Sequence, residues 1–329
     1  MFEPRTPVAT TGAANVVRCR GSPQEVLNGS RCPECSRVPR LWRYRDLVEP
    51  RAFTRLLQIG PQARLDLIAE GLGLIAEHVE TLRGDIRRLD DDGRVRAASI
   101  LSRMADEEAA KALILLDIYR CVPDQRTTSK QLKRLSRHLP RCIYVEVSHG
   151  HPAVFGEVRD RVDRARRSHY LDGPMDADWI FSNELIAERE GSLYVDFVWD
   201  LEDDAGTWMT PASFDGMVGP TTDVLDLVVS LRQAGCLGRQ SLNVMADVWQ
   251  GFELRDETHW VEIRNRNLLL LQRLHEAGQF LDSGTQEDVD RVVDRWGFPL
   301  TELDISIINI ARDELRAEQQ RLMGNWTDC

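Results

Sequence analysis

Between residues 61 and 90 the apolar residues Leu65, Ile68, Leu72, Ile75, Val79, Leu82, Ile86 and Leu89 recur at alternating steps of three and four. An α-helix brings such residues onto one side, and a stripe of that length needs a partner to cover it. The run DDDG at residues 90–93 interrupts the period and supplies turn residues and an N-cap. A second apolar period then runs from about Arg94 to Cys121. Two long helices joined by a short turn predict an antiparallel hairpin, the seed of a helical bundle.

On the second helix the period passes through Ala97, Leu101, Met104, Glu108, Lys111, Leu115 and Ile118, so two charged residues fall on the apolar stripe. Glu107 lies four residues before Lys111 and Glu108 three before it, spacings that bring side chains together on a helix. Two readings follow. Either this is a surface ion pair and the stripe is displaced by one residue, or it is a polar cluster within the bundle. A charged pair at a helix interface is desolvated, which stability alone does not explain. On the second reading the cluster therefore orients a catalytic or partner-binding group.

Two basic segments follow. QRTTSKQLKRLSRHLPRC carries Lys130, Lys133, Arg134, Arg137 and Arg141 around Leu132, Leu135 and Leu139, which predicts a short basic amphipathic helix stopped at Pro140 with His138 near its end. AVFGEVRDRVDRARRSHY places Phe155, Val158, Val162, Ala165 and His169 on one helical stripe, with Arg159, Arg161, Arg164, Arg166 and Arg167 around the rest. Either segment alone reads as a solvated charged face with an incidental histidine. Together they point to a phosphate-contacting surface. DADWIFSNELIAERE then fits a capped helix, and LYVDFVW, the DDAG turn signal and TWMTP fit a β-hairpin, expected to hold the only strands of this part. Beyond Pro220 helical periods return in an acidic stretch without a chemical motif, suited to packing or partner binding.

The chain of 329 residues is therefore expected to be mainly α, in three parts: an N-terminal arm over 1–54, a helical bundle with one small β-hairpin over 55–212, and a second helical region over 213–329. The net charge of −11 argues against a surface coated in basic charge, so nucleic-acid contact would rest on local basic segments. With no secretory signal pattern and no apolar run long enough for a membrane span, a cytoplasmic protein without membrane contact is expected. The seven cysteines read as reduced thiols, with Cys121, Cys142 and Cys236 as small core residues. Cys19, Cys32 and Cys35 could supply three ligands of a tetrahedral zinc site, but a fourth is lacking. His149 and His151 of SHGH read as loop residues. No metal and no cofactor are expected. Phosphate-binding glycine loops, HExxH and GxSxG do not occur.

Three stretches in this order carry a resemblance: ILSRMADEEAAKALILLD, the basic segment containing RHLPRCIY, and EREGSLYVDFVWDLEDDAGTWMTP. The first is similar to a helix with an EE-x-x-K core, and the last to a closing LYVD hairpin followed by W-x-x-P. Both belong to the AbiV-type abortive-infection proteins of the HEPN superfamily, and the resemblance covers about residues 62–212. It implies a HEPN-like antiparallel bundle and an antiphage toxin that cleaves RNA without a metal. An arginine followed after four to six residues by a histidine would act at a homodimer interface, and a phage-derived activator or an inhibitory partner protein would control it. Arg164 and His169 fit that spacing. His138, whose preceding basic residue at the matching distance is Lys133 rather than arginine, competes with them. Glu108 and Lys111 would then belong to the catalytic cluster, and Lys130, Lys133, Arg134, Arg137, Arg141, Arg166 and Arg167 would bind RNA. An imidazole titrating near neutrality can take the ribose 2′-proton while cations hold the phosphate. The alternative is a catalytically inactive HEPN-type binding or sensor module acting through protein partners.

Overall fold

In the computed structural model, which describes residues 49, 51–121, 124–171, 180–200, 205–211 and 223–324, a 3-10 turn at Phe53–Gln58 leads into helix α1 (Pro61–Asp91). The seam read from the sequence holds: Leu65, Ile68, Leu72, Val79 and Ile86 are buried, and Ile75, Leu82 and Leu89 pack against the core. Gly93 turns the chain at φ +70°, a left-handed conformation natural to glycine, and α2 (Val95–Asp117) returns along α1.

The stripe of α2 differs from the sequence expectation by one residue. Its buried face runs through Ala98, Ser102, Ala105, Ala109, Ala112 and Leu116, whereas Met104 is 53 % exposed. Alanines let α1 approach closely, so burial there follows small size rather than high hydropathy. The shift buries Glu107 and moves Glu108 and Lys111 to a half-buried flank, where they pair with each other.

Helix α3 (Gln125–Arg134) is capped by Asp124, whose carboxylate accepts from Thr127 N. Pro140 does not stop a helix as expected. It lies in the first turn of α4 (His138–Ser148), where the ring removes an N–H that would have no partner inside the helix. His138 consequently begins a helix instead of ending one. Helix α5 (Phe155–Ala165) buries Phe155, Val158, Val162 and Ala165, but it ends before His169. That histidine opens strand β1 (His169–Leu171), which pairs antiparallel with β2 (Ile180–Ser182) in a small sheet that the sequence patterns do not suggest. The expected helix of this stretch is shorter, α6 (Glu184–Leu193), capped by Asn183. The expected hairpin is present as β3 (Asp196–Asp200) and β4 (Ala205–Met209).

The helices α7 (Asp223–Gln233), α8 (Arg239–Trp249), α9 (Trp260–Glu276), α10 (Gln286–Arg295) and α11 (Arg312–Gly324) complete the described chain. Helix α7 buries its apolar face against α1 and α2, so residues on both sides of position 213 share one core. A buried polar network reinforces that union. Asp117 accepts from Tyr144 Oη at 2.8 Å, from Leu300 N at 2.9 Å and from Arg120 Nη1 at 3.2 Å. Arg120 lies between the rings of Trp249 and Trp296 and donates to Gly297 O. Burial pushes the Asp117 carboxyl up and the Arg120 guanidinium down to about 10, against their mutual attraction.

Candidate functional site

The junction of α3 and α4 gathers most of the chemistry. Glu107, on the buried face of α2, accepts from three donors supplied by two other helices. His138 Nδ1 lies 2.8 Å from its Oε2, Arg141 Nη2 lies 3.0 Å from the same oxygen, and Arg189 Nε lies 2.6 Å from Oε1. Burial alone would raise the Glu107 carboxyl; the hydrogen bonds from Arg189 and His138 and the charges of Arg141 and His138 outweigh it and hold the group below its usual value.

This geometry assigns a tautomer to His138. Nδ1 also lies 2.9 Å from Arg141 Nη2, but a guanidinium nitrogen only donates. If Nδ1 accepted from Arg141, it could not donate to the carboxylate beside it. The arrangement is satisfied when Nδ1–H and Nη2–H both donate to Glu107 Oε2. In the neutral ring Nε2 then carries the lone pair, and no hydrogen-bond partner meets it among the described residues. The His138 side chain is 42 % exposed.

A basic cleft of about 370 Å³ is lined by Arg126, Lys130, Lys133, Arg134, Arg137 and Pro140 from α3, α4 and the turn between them, and by Asp304, Ile305 and Ser306. Arg137 is both a wall of the cleft and the N-cap of α4, next in sequence to His138. The side chains of Arg126, Lys133 and Arg137 are exposed and make no ion pair with another described residue.

Of the other expected RNA-binding residues, Lys130, Arg134, Arg141 and Arg166 have internal partners. Arg134 is buried and donates to Leu300 O at 2.9 Å, to Gln131 Oε1 at 2.7 Å and to Leu303 O. Lys130 Nζ donates to Thr301 O, Arg141 serves Glu107, and Arg166 pairs with Asp163 and Asp304. Lys130, Arg134 and Arg166 fasten residues 300–306 to α3 and to the C-terminal end of α5. Arg167 and Arg164 are exposed without an ion pair to another described residue.

His169 is engaged on both ring nitrogens. Nδ1 lies 3.1 Å from Ile310 O, and Nε2 faces Arg312 Nε at 3.5 Å. With α5 ended at Ala165 and Arg167 bridged to Ile308, Arg164 and His169 belong to different elements and do not share a helical stripe.

Sequence reasoning missed Arg189, Arg126, Asp304 and Ser306. Arg189 had a local signal, a basic residue on the helix leading into the expected hairpin; Asp304 and Ser306 had none. Cys19, Cys32 and Cys35 lie outside the described residues, among which no cluster of histidine, cysteine or carboxylate suits a metal ion. No helix of the described residues is long and apolar enough to cross a membrane. Compared with protein-family models, curated proteins and solved structures, the chain matches none.

Proposed function

We propose that this chain is a HEPN-type, metal-independent endoribonuclease of the abortive-infection kind, with His138 as its general base. The observation that carries the reading is the pairing of His138 Nδ1 with the buried Glu107, which leaves Nε2 unpartnered among the described residues on the residue next in sequence to Arg137, a wall of the basic cleft. Glu107 is a positioning residue in this scheme: it fixes the ring and its tautomer, and Arg141 and Arg189 keep it ionised.

The cleft binds the phosphate through Arg126, Lys133 and Arg137, aided by the unsatisfied first-turn N–H groups of α4. Nε2 takes the proton of a ribose 2′-hydroxyl, and the 2′-oxygen attacks the adjacent phosphorus. The bond to the 5′-oxygen breaks and that oxygen receives a proton from water, giving a 2′,3′-cyclic phosphate and a 5′-hydroxyl. The cationic wall stabilises the added negative charge of the phosphorane. His169 takes a structural part in this reading, because both of its nitrogens face partners.

Sequencing of RNA ends after induced expression tests the proposal. Wild type and His169→Ala are expected to arrest growth and create new 5′-hydroxyl ends, and His138→Ala to do neither. RNA that is bound by the wild-type chain but left uncut would move the assignment to a binding module.

A further inference from the structure

The β3–β4 hairpin presents an aromatic face that nothing among the described residues covers. Phe197, Trp199 and Trp208 are 51 %, 54 % and 67 % exposed, and Phe197 meets both tryptophans, with ring centroids 5.3 Å from Trp208 and 6.2 Å from Trp199. The register pairs Phe197 with Trp208 and Trp199 with Gly206, which puts all three rings on one face. Gly206 leaves the room that two of these rings occupy. A Cβ at that position would stand 2.2 Å from the Phe197 ring and 2.8 Å from that of Trp199. A two-stranded sheet is marginal by itself in water, and exposed aromatic clusters mark interaction surfaces.

The two outer edges of the hairpin differ. Strand β3 begins and ends with an acid, at positions 196 and 200, whereas β4 reads Ala-Gly-Thr-Trp-Met without a charge. Charged residues protect an edge from pairing, and β4 lacks that protection. Antiparallel pairing of two β3 strands about a two-fold axis at position 198 would set position 196 against position 200 twice, acid against acid. The same operation on β4, centred on Thr207, sets Thr207 against its own copy, Ala205 against Met209 and Gly206 against Trp208, with no like-charge contact. Each Trp208 then lies beside the other copy's Gly206, over which the rings of Phe197 and Trp199 are folded.

We infer that β4 is a self-association edge: two copies of this chain pair their β4 strands about Thr207 into one four-stranded antiparallel sheet with six aromatic side chains on a single face. Four strands with an apolar face meet the requirement that the lone hairpin misses. The three consecutive acids at positions 202–204, between the two strands in sequence, disfavour a nucleic-acid strand as the occupant. The inference is independent of the proposed catalytic role.

Sedimentation velocity of the full chain over a concentration series tests it. Wild type is expected to run as a dimer. Thr207→Lys and Thr207→Glu, each placing like charges on the axis at an exposed position, are expected to run as monomers with unchanged thermal unfolding. An equimolar mixture of the two is expected to recover the dimer mass. Trp208→Ala removes one anchor from each copy and should weaken the dimer by about a thousandfold, two losses of about 2 kcal/mol each. A wild-type chain that stays monomeric, a Thr207→Lys dimer as tight as wild type, or a mixture of the charge variants that fails to associate overturns the inference. So does a monomeric chain whose affinity for single-stranded RNA falls in Trp208→Ala, which would assign the face to base stacking instead.

Discussion

Replacing Glu107 by glutamine keeps the side chain's shape and removes its charge, which isolates what the carboxylate contributes. Three donors converge on it at 2.6, 2.8 and 3.0 Å. An amide offers one acceptor oxygen, so at least one of Arg189, His138 and Arg141 must face an N–H, and both guanidiniums lose their counter-charge. Breaking a buried pair by removing one partner costs about 3–5 kcal/mol. The His138 share is screened by solvent, since that ring is 42 % exposed. A destabilisation of about 2–3 kcal/mol is therefore expected, or a fall in Tm of roughly 3–5 °C. The pH dependence has a defined sign. The folded carboxyl lies below its ordinary value of 4.5, so its contribution is fully present above that pH and is lost as pH falls through the lower folded value. Urea unfolding of wild type and Glu107→Gln across a pH series should show a gap widest near neutrality that closes in acid. A gap under about 1 kcal/mol at neutral pH, no more than one ordinary hydrogen bond, would show that the carboxylate's charge is not what holds the three donors. A gap unchanged on acidification would show the same.

Other substitutions separate structure from chemistry. Tyr144→Phe removes the hydroxyl that donates to Asp117 and accepts from Gln131, and should cost about 1–3 kcal/mol in chemical denaturation. Lys111→Met breaks a half-buried helix pair and should change unfolding by less than about 0.5 kcal/mol. Burial pushes the thiols of Cys121, Cys142 and Cys236 up to about 12, so mass spectrometry after native alkylation at pH 8 should find them unmodified, and denaturation should expose them.

The parts of this fold that were legible in the sequence are those specified locally. The seam of α1, the DDDG turn and the β3–β4 hairpin rest on residues close in the chain with strong periods and turn chemistry. The stripe of α2 was displaced because Ala98, Ala105, Ala109 and Ala112 carry little hydropathy contrast, while Leu101 and Met104 drew the period onto the flank. Pro140 carried two meanings, helix stop or helix start, and only the extended backbone of Arg137 decides between them. His169 continued the numerical period of α5, yet pairing with Ser182 and bonding to residue 310 turned that segment into a strand. Glu107 stood out in sequence as a charge within an apolar run, but its neighbours gave no hint of Arg189, which lies 82 positions away. The ties of Asp117 to Leu300 and of Arg134 to Leu303 are longer still and leave no periodic trace.

Purified chain, a short RNA and EDTA suffice to decide whether His138, held by Glu107, cuts RNA. Cleavage should proceed in the chelator and leave 2′,3′-cyclic phosphate ends. It should fail on a substrate with 2′-deoxyribose at the cut position and in His138→Ala, and it should slow greatly in Glu107→Gln at a temperature where that variant remains folded. Cleavage that survives in His138→Ala, or that proceeds on the 2′-deoxy substrate, would remove His138 from the chemistry.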